Sequence, residues 1–361
     1  MLKRKKLLTG TVLSLSVALA ACGDEQAGTD TNGDDADNGD GGVEAQQWDF
    51  VTEEYEGQVQ YEYAQEFADI MYEKSDGQIE VTPREFGALG SEVDQVELLQ
   101  QGEVELAITS PGFTGTTVHE GQVFALQFLF PDDQDLTQQV LNGSEALNDQ
   151  LTGLFEEVNI TPLSYWTEGF MQWTGSEPLR TPDDFDGFQM RTQQSQLIGE
   201  SYKAYGAEPT PLSWGELYTA LQQGTVDGQE NPIFFIEDAN FHEVQDHMTV
   251  SNHNSYVAMT TMNTEFYNNL DDEVREMVEE TIEEMRPIAF EIQEEMNEEL
   301  LTEIKENEEH PTEVYELSEE EREAFRELAI PVRDSYRGIS EEAEQILDTL
   351  EEEIEETVEN N

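Results

Sequence analysis

Apolar residues recur at helical spacing between Tyr61 and Lys74, at Tyr61, Ala64, Phe67, Ala68 and Met71, and predict an amphipathic helix. Ser75-Asp76-Gly77 reads as the turn that ends it, and Ile79 to Thr82 as the strand that follows. A second helix is expected from Val93 to Gln101, stopped by Gly102 in a left-handed cap, with a strand from Val104 to Thr109. The arrangement returns later in the chain. Val96-Glu97-Leu98-Leu99-Gln100-Gln101-Gly102-Glu103-Val104-Glu105 parallels Leu217 to Asp227, whose core is Ala220-Leu221-Gln222-Gln223-Gly224-Thr225-Val226-Asp227. Helix, Gln-Gln-Gly, then a valine and an acid at a strand start, twice over, points to two lobes built on one α/β plan. A chance likeness of two helix ends is the competing reading.

Between the copies, Ile160 to Trp166 and Phe170 to Thr174 read as strands and Gln194 to Tyr205 as a helix. Met248 to Ser251 and Tyr256 to Met262 are further strands, the second crossing between lobes. Beyond Leu270 one apolar stripe runs from Val274 through Ile282, Met285 and Ala289 to Leu300 and Ile304, so a long helix packs against the core there. Pro287 lies inside it and predicts a kink. Glu319 to Leu328 and Glu341 to Glu356 supply two more helices. Coiled-coil pairing is an alternative for these helices, but short heptads and single-sided stripes favour packing on the chain's own core, and hence a monomer.

The N-terminus has a different pattern. Lys3, Arg4, Lys5 and Lys6 precede an apolar run from Leu7 to Ala18, which is too short to span a bilayer and reads as an export signal over 1–22. Leu19-Ala20-Ala21-Cys22 resembles the bacterial lipobox, which implies cleavage before Cys22 and diacylglycerol on its thiol; an ordinary secretory signal is the alternative. More than one acyl chain makes such an anchor durable. Residues 23–47 are rich in Gly, Asp, Asn, Thr and Glu, cannot bury enough surface to fold, and read as an acidic tether.

Charge removes whole classes of function. The chain has 82 acidic against 16 basic residues, a formal charge of -66, and four of the basic residues lie in the export signal. Phosphate binding rests on basic side chains, so nucleic acid is excluded as a partner. Acidity on this scale resembles that of halophile proteins, in which salt screens self-repulsion. Enzyme signatures are missing: there is no Gly-rich phosphate loop, no His-Glu-x-x-His and no Gly-x-Ser-x-Gly. His119, His242, His247, His253 and His310 have no metal-ligand spacing. Neither a cofactor, a metal nor catalysis is expected.

In this acidic background Arg191 stands out, because between Arg84 and Arg275 only Arg180, Arg191 and Lys203 are basic. A guanidinium retained there is suited to holding an anion in a two-pronged grip. The segments around it carry a resemblance. Tyr165-Trp166-Thr167-Glu168-Gly169-Phe170, Gly187-Phe188-Gln189-Met190-Arg191, Tyr205-Gly206-Ala207-Glu208-Pro209-Thr210-Pro211 and Val226-Asp227-Gly228-Gln229-Glu230-Asn231-Pro232 closely resemble the DctP-type solute-binding proteins of TRAP transporters. A weaker match extends over about 48–350.

The resemblance implies an α/β fold of two periplasmic-binding lobes, a cleft between them for a small organic acid, and a long helix spanning both. Lobe I is expected over 48–168 and 257–288, lobe II over 169–256 and 289–361. Arg191 is expected to grip the ligand carboxylate, with Asn231 as its partner, Trp214 as a wall and Gln194 as a polar contact. Looser matches put Glu53, Glu92 and Ser110 on the first lobe's side. Where many relatives have a second arginine this chain has Met171, which leaves a monocarboxylate as plausible as a C4-dicarboxylate. Asn231 stands where an aromatic residue is expected of ectoine binders, and so argues against that ligand. The implied role is capture of the solute outside the cytoplasmic membrane and delivery to small and large membrane subunits driven by an ion gradient. A sensor lipoprotein presenting the same ligand, or a binder of another carboxylate-bearing compatible solute, is the alternative.

Overall fold

The computed structural model describes residues 43–361. Cys22, the export signal and most of the expected tether lie outside them. The strands are β1 (Gln46–Val51), β2 (Ile79–Arg84), β3 (Leu106–Thr109), β4 (Ile160–Phe170), β5 (Gln172–Gly175), β6 (Gln189–Thr192), β7 (Glu208–Pro211), β8 (Gly228–Asn231), β9 (His247–Val250), β10 (Ser255–Asn263) and β11 (Glu313–Glu316). Gln46 and Gln47, expected in the tether, instead open β1, opposite Ile79 and Glu80 of β2. Main-chain pairing on a parallel neighbour needs no apolar side chain, so composition could not reveal it.

The helices are α1 (Val59–Lys74), α2 (Glu92–Gln101), the single turn α3 (Pro111–Thr114), α4 (Gln134–Gly143), α5 (Thr152–Glu156), α6 (Gln196–Ala204), α7 (Trp214–Gln222), α8 (Ile233–Asp238) and α9 (Thr264–Asn269). α10 (Asp272–Glu306), α11 (Glu319–Ala329), α12 (Val332–Arg337) and α13 (Glu341–Glu359) complete the chain.

Two sheets form, one ordered β2-β1-β3-β10-β4 and the other β11-β9-β5-β8-β6-β7. Read from its β7 edge, the second repeats the first. β1 lies parallel to β2 and β3, as β6 lies parallel to β7 and β8. β3 then meets β10 antiparallel, as β8 meets β5.

The repeated sequence explains part of this. Gly102 (φ 71°) and Gly224 (φ 66°) turn the chain out of α2 and α7 in the left-handed region that favours glycine. Val104 and Val226 are buried, and the acid after each accepts a neighbouring strand's amide. Glu105 Oε2 accepts from the Asp49 N–H, and Asp227 Oδ2 from the Gln189 N–H, both at 2.8 Å. The valine and the acid therefore lock each sheet at equivalent places.

The sheets are joined by strands that run from one into the other. β4 continues into β5 and β9 into β10, side by side, with the Met171 N–H donating to the Asn254 carbonyl at 2.8 Å. α11 clamps this crossing: Arg322 donates to the carbonyls of Ser251 (3.1 Å) and Asn252 (3.0 Å) and grips Asp132 with two nitrogens.

α10 packs on α1 and β4 at one end and on α8 farther along, with Val278, Ile282 and Met285 in one core cluster and Ile304 in another. Helical structure continues through Pro287, which removes one hydrogen-bond donor from an element held along its length by packing. The segment 289–361, expected with the second lobe, is shared. α11 and α12 pack on α6, whereas α13 sets its buried face of Ala343, Ile346, Leu347 and Leu350 against α4 and 146–151, which were expected in lobe I. An apolar stripe encodes that a helix is covered, not by which neighbour.

Candidate functional site

Equivalent strand and helix ends from the two sheets meet around a small, tightly closed cavity. From the first side come Glu53 just beyond β1, Glu92 at the start of α2, Phe113 in α3 and Tyr256 in β10. From the second come Arg191 in β6, Gln193, Trp214 at the start of α7, Asn231 at the end of β8 and Phe235 in α8.

Arg191 is 2 % exposed. Its Nε and Nη2 donate to the Leu212 carbonyl at 3.2 and 2.9 Å, which anchors one edge of the guanidinium. No ion pair involves it among the described residues, although burial of an unpaired guanidinium is costly. Burial pulls its pKa down, and Glu92, Tyr256 and Glu230 oppose that. An arginine nonetheless stays charged, so its free edge is ready for an anion.

The opposite wall is acidic. Glu92 Oε1 accepts from the Trp214 N–H at 3.0 Å, so the first residue of α2 caps the first turn of α7 across the cavity. Glu53 accepts from the Ser110 N–H at 3.1 Å, and burial, aided by repulsion from Glu92 and Glu168, raises its carboxyl pKa to about 8. Aromatic rings close the remaining sides. Trp214 and Phe235 lie 4.8 Å apart between centroids, and Phe235 meets Tyr256 edge-on at 6.0 Å and 86°.

Arg191, Asn231, Trp214, Glu92 and Glu53 are thus brought together. Asn231 is buried and its amide donates to Gln229. Gln194 is exposed and off the cavity; its neighbour Gln193 lines it instead and donates to the Tyr256 hydroxyl at 3.3 Å. Beyond the end of β6 side chains alternate in and out, and the register that buries Arg191 also buries 193. Gly112 makes room, since a Cβ there would lie 2.0 Å from Gln193 Oε1. Ser110 sits behind Glu53 rather than on the cavity, and its Oγ has no partner among protein atoms. Met171 lines a small adjoining hollow that shares Gln193 and Tyr256 with the first.

Phe113, Gln193, Phe235 and Tyr256 were not expected at the site. Each lies in a stretch that reads as ordinary core, and the only local signal is the proline two or three positions before each phenylalanine, at Pro111 and Pro232. Another trio has the residue types of a nucleophilic triad: Ser251 Oγ lies 2.7 Å from His253 Nδ1, and His253 Nε2 lies 2.7 Å from Glu230. Ser251 and His253 are 0 % exposed and neither lines the cavity; burial lowers the His253 pKa, and the trio ties down the strand crossing.

Comparison with known proteins agrees with this architecture. The family model described as bacterial extracellular solute-binding protein, family 7, matches residues 50–338. The ectoine-binding periplasmic protein TeaA of Halomonas elongata is 36% identical over 302 residues, 83% of this chain and 88% of its own length. The C4-dicarboxylate-binding periplasmic protein DctP of Rhodobacter capsulatus is 34% identical over 272 residues, 75% of this chain and 80% of its own. A solved structure of the Halomonas elongata ectoine-binding protein, from the TeaABC TRAP transporter, superposes with a TM-score of 0.82 at 35% identity over 86% of this chain and 99% of that one. The argument from Asn231 against ectoine binders loses its force here, because this cavity takes its aromatic surface from Phe113, Trp214, Phe235 and Tyr256. The family match over most of the chain and the shared fold agree, and the chain belongs to the DctP family, family 7 of the bacterial extracellular solute-binding proteins.

Proposed function

We propose that this chain is the solute-capturing subunit of a TRAP transporter and that its ligand is a small zwitterion, a carboxylate joined to a delocalised cation, of which a cyclic amidinium carboxylate such as ectoine is the type. The observation that carries the reading is the polarity of the cavity. One guanidinium and two carboxyl groups line the same small cavity, together with four aromatic side chains. The ligand carboxylate pairs with the free edge of Arg191, and its cation lies toward Glu53 and Glu92 against aromatic faces. A C4-dicarboxylate fits less well, since its second carboxylate would be placed against two acids with no second arginine to hold it. The Halomonas relative supports the zwitterion and the Rhodobacter relative the dicarboxylate.

Capture needs no turnover, metal or cofactor. The folded body acts as a monomer outside the cytoplasmic membrane, tethered through lipid on Cys22, and hands its ligand to the small and large membrane subunits. Calorimetry in molar salt tests the ligand reading, with ectoine and succinate titrated in parallel. Ectoine is expected to bind at least tenfold more tightly; succinate binding more tightly than ectoine would overturn it. Mass spectrometry of the mature protein tests the anchor, which requires a diacylglyceryl cysteine at Cys22.

A further inference from the structure

Behind the ligand cavity lies a cluster of acids that the capture of a carboxylate does not use. Glu53 and Glu54 follow β1, Glu168 lies near the end of β4, and Gln60 of α1 binds all three. The Gln60 side-chain oxygen accepts from the Glu53 N–H at 2.9 Å, its backbone N–H donates to Glu54 Oε2 at 2.7 Å, and its Nε2 donates to Glu168 Oε1 at 2.9 Å. The three glutamates are 4 %, 0 % and 0 % exposed. One oxygen of each, Glu53 Oε2, Glu54 Oε1 and Glu168 Oε2, has no donor among protein atoms.

Nothing cationic balances them. Among the described residues no lysine, arginine or histidine forms an ion pair with any of the three, and no group of acids and histidines is arranged to hold a metal ion. The groups facing the cluster are Gln60 from α1, Glu92 from α2, Ser110 ahead of α3, Tyr256 from β10 and Asn297 from α10, which donates to the Glu168 carbonyl at 2.9 Å. Arg191 lies on the far side of the cavity, with its Nε and Nη2 on Leu212. Three carboxylates this close in a water-poor interior cannot all be ionised. A protonated carboxyl becomes a donor, and a proton held between Glu54 and Glu168 would satisfy an orphan oxygen that the ionised pair leaves bare. Burial accordingly raises the pKa of all three, with mutual repulsion adding to it at Glu53 and Glu54.

We propose that burial, reinforced by Glu92 and by the Glu54–Glu168 pair as positioning residues, keeps the ligand-facing Glu53 protonated in the empty site, so that capture of a cationic head releases a proton. In the binding step the neutral Glu53 carboxyl loses its proton to solvent and the ligand cation takes its place beside the carboxylate; no other bond changes. The cluster would then act in selection. A cation is drawn in by the charge it uncovers, whereas a neutral or purely anionic solute gains nothing by displacing the proton. The inference rests on the zwitterion reading and can fail separately from it.

Calorimetry with ectoine near pH 7, in buffers of contrasting ionisation enthalpy, counts the protons exchanged on binding. The intact protein is expected to release roughly half a proton or more per ligand, with release vanishing above about pH 9, where Glu53 is already ionised. Glu168→Gln removes one repelling carboxyl and is expected to lower that release most clearly near pH 8, where Glu53 is about half protonated, while ectoine still binds; release unchanged at pH 8 would remove Glu168 from the set that holds the proton. Ectoine binding to the intact protein with no proton exchanged between pH 6 and 8, or with proton uptake, would overturn the inference and leave the ligand reading standing. A folded protein that binds no ectoine sinks both. Because the intact protein decides the sign, the proposal stays testable even if a variant does not fold.

Discussion

The two halves of the molecule share a plan and differ in charge where it matters. β1 and β6 hold equivalent places in their sheets, but β1 leads into Glu53 and Glu54 while β6 carries Arg191. α2 and α7 begin at equivalent points after a serine, one with Glu92 and the other with Trp214, and the Glu92 carboxylate reaches the Trp214 amide. Ser110-Pro111 follows β3 and Asn231-Pro232 spans the end of β8, and each leads to a phenylalanine on the cavity. A repeated scaffold thus presents one acidic and one basic wall to the same small space. The lesson is that a repeated plan sets the geometry, while different residues at matching strand ends set the polarity.

Removing the basic wall is the most damaging way to break this comparison. Arg191→Ala is expected to lower carboxylate affinity by at least a hundredfold in calorimetry, because a buried two-pronged charge pair is lost. Arg191→Lys should restore little, since an ammonium cannot reproduce the fork.

Changing the acidic wall should have a smaller effect and a readable pH signature. Glu53→Gln is expected to weaken a zwitterionic ligand by roughly tenfold or more above pH 8, where the native carboxylate would be charged. In the empty protein its effect on stability has a definite sign. With a folded pKa of about 8 against an ordinary value of 4.5, the folded state holds more protons than the unfolded one between those values. Glu53 therefore costs progressively more stability as pH rises through that window. Thermal melts from pH 5 to 9 should show the variant gaining on the native protein as pH rises; parallel curves would mean that Glu53 is ionised throughout.

Weaker still is the tie between the walls. Glu92→Gln keeps the size of the side chain but removes the charge at the start of α7, and should speed ligand release several-fold in stopped-flow measurements. The smallest effect sharpens the register: Gln194→Ala should leave affinity within about twofold, while Gln193→Ala, at a buried cavity position, should weaken it about tenfold.

Much of this plan is legible from local pattern. The helices from Tyr61, Val93 and Glu319 follow from apolar spacing, and the paired Gln-Gln-Gly ends disclosed the repeat, because caps and periodicity act over a few residues. β1 and β11 were not legible. Their edges are held by main-chain pairing with β2 and β9, which side-chain pattern does not record. At the site, Arg191 stood out because cations are scarce. Glu54 and Glu168 did not, because among 82 acids each looks like any solvated glutamate.

The family, the repeated α/β units and the one arginine that stands out among scarce cations could be read from the chain alone, since they rest on short-range spacing and on residue types that are rare in it. That Glu53, Glu92, Phe113, Gln193 and Tyr256 close around that arginine, and that Glu54 and Glu168 stand buried near Glu53 with no ion-pair partner among the described residues, appears only once the chain is folded. The physical reason is that burial and long-range proximity create the chemistry. A carboxyl's charge state depends on what surrounds it, and those surroundings are assembled here from strands and helices up to two hundred residues apart.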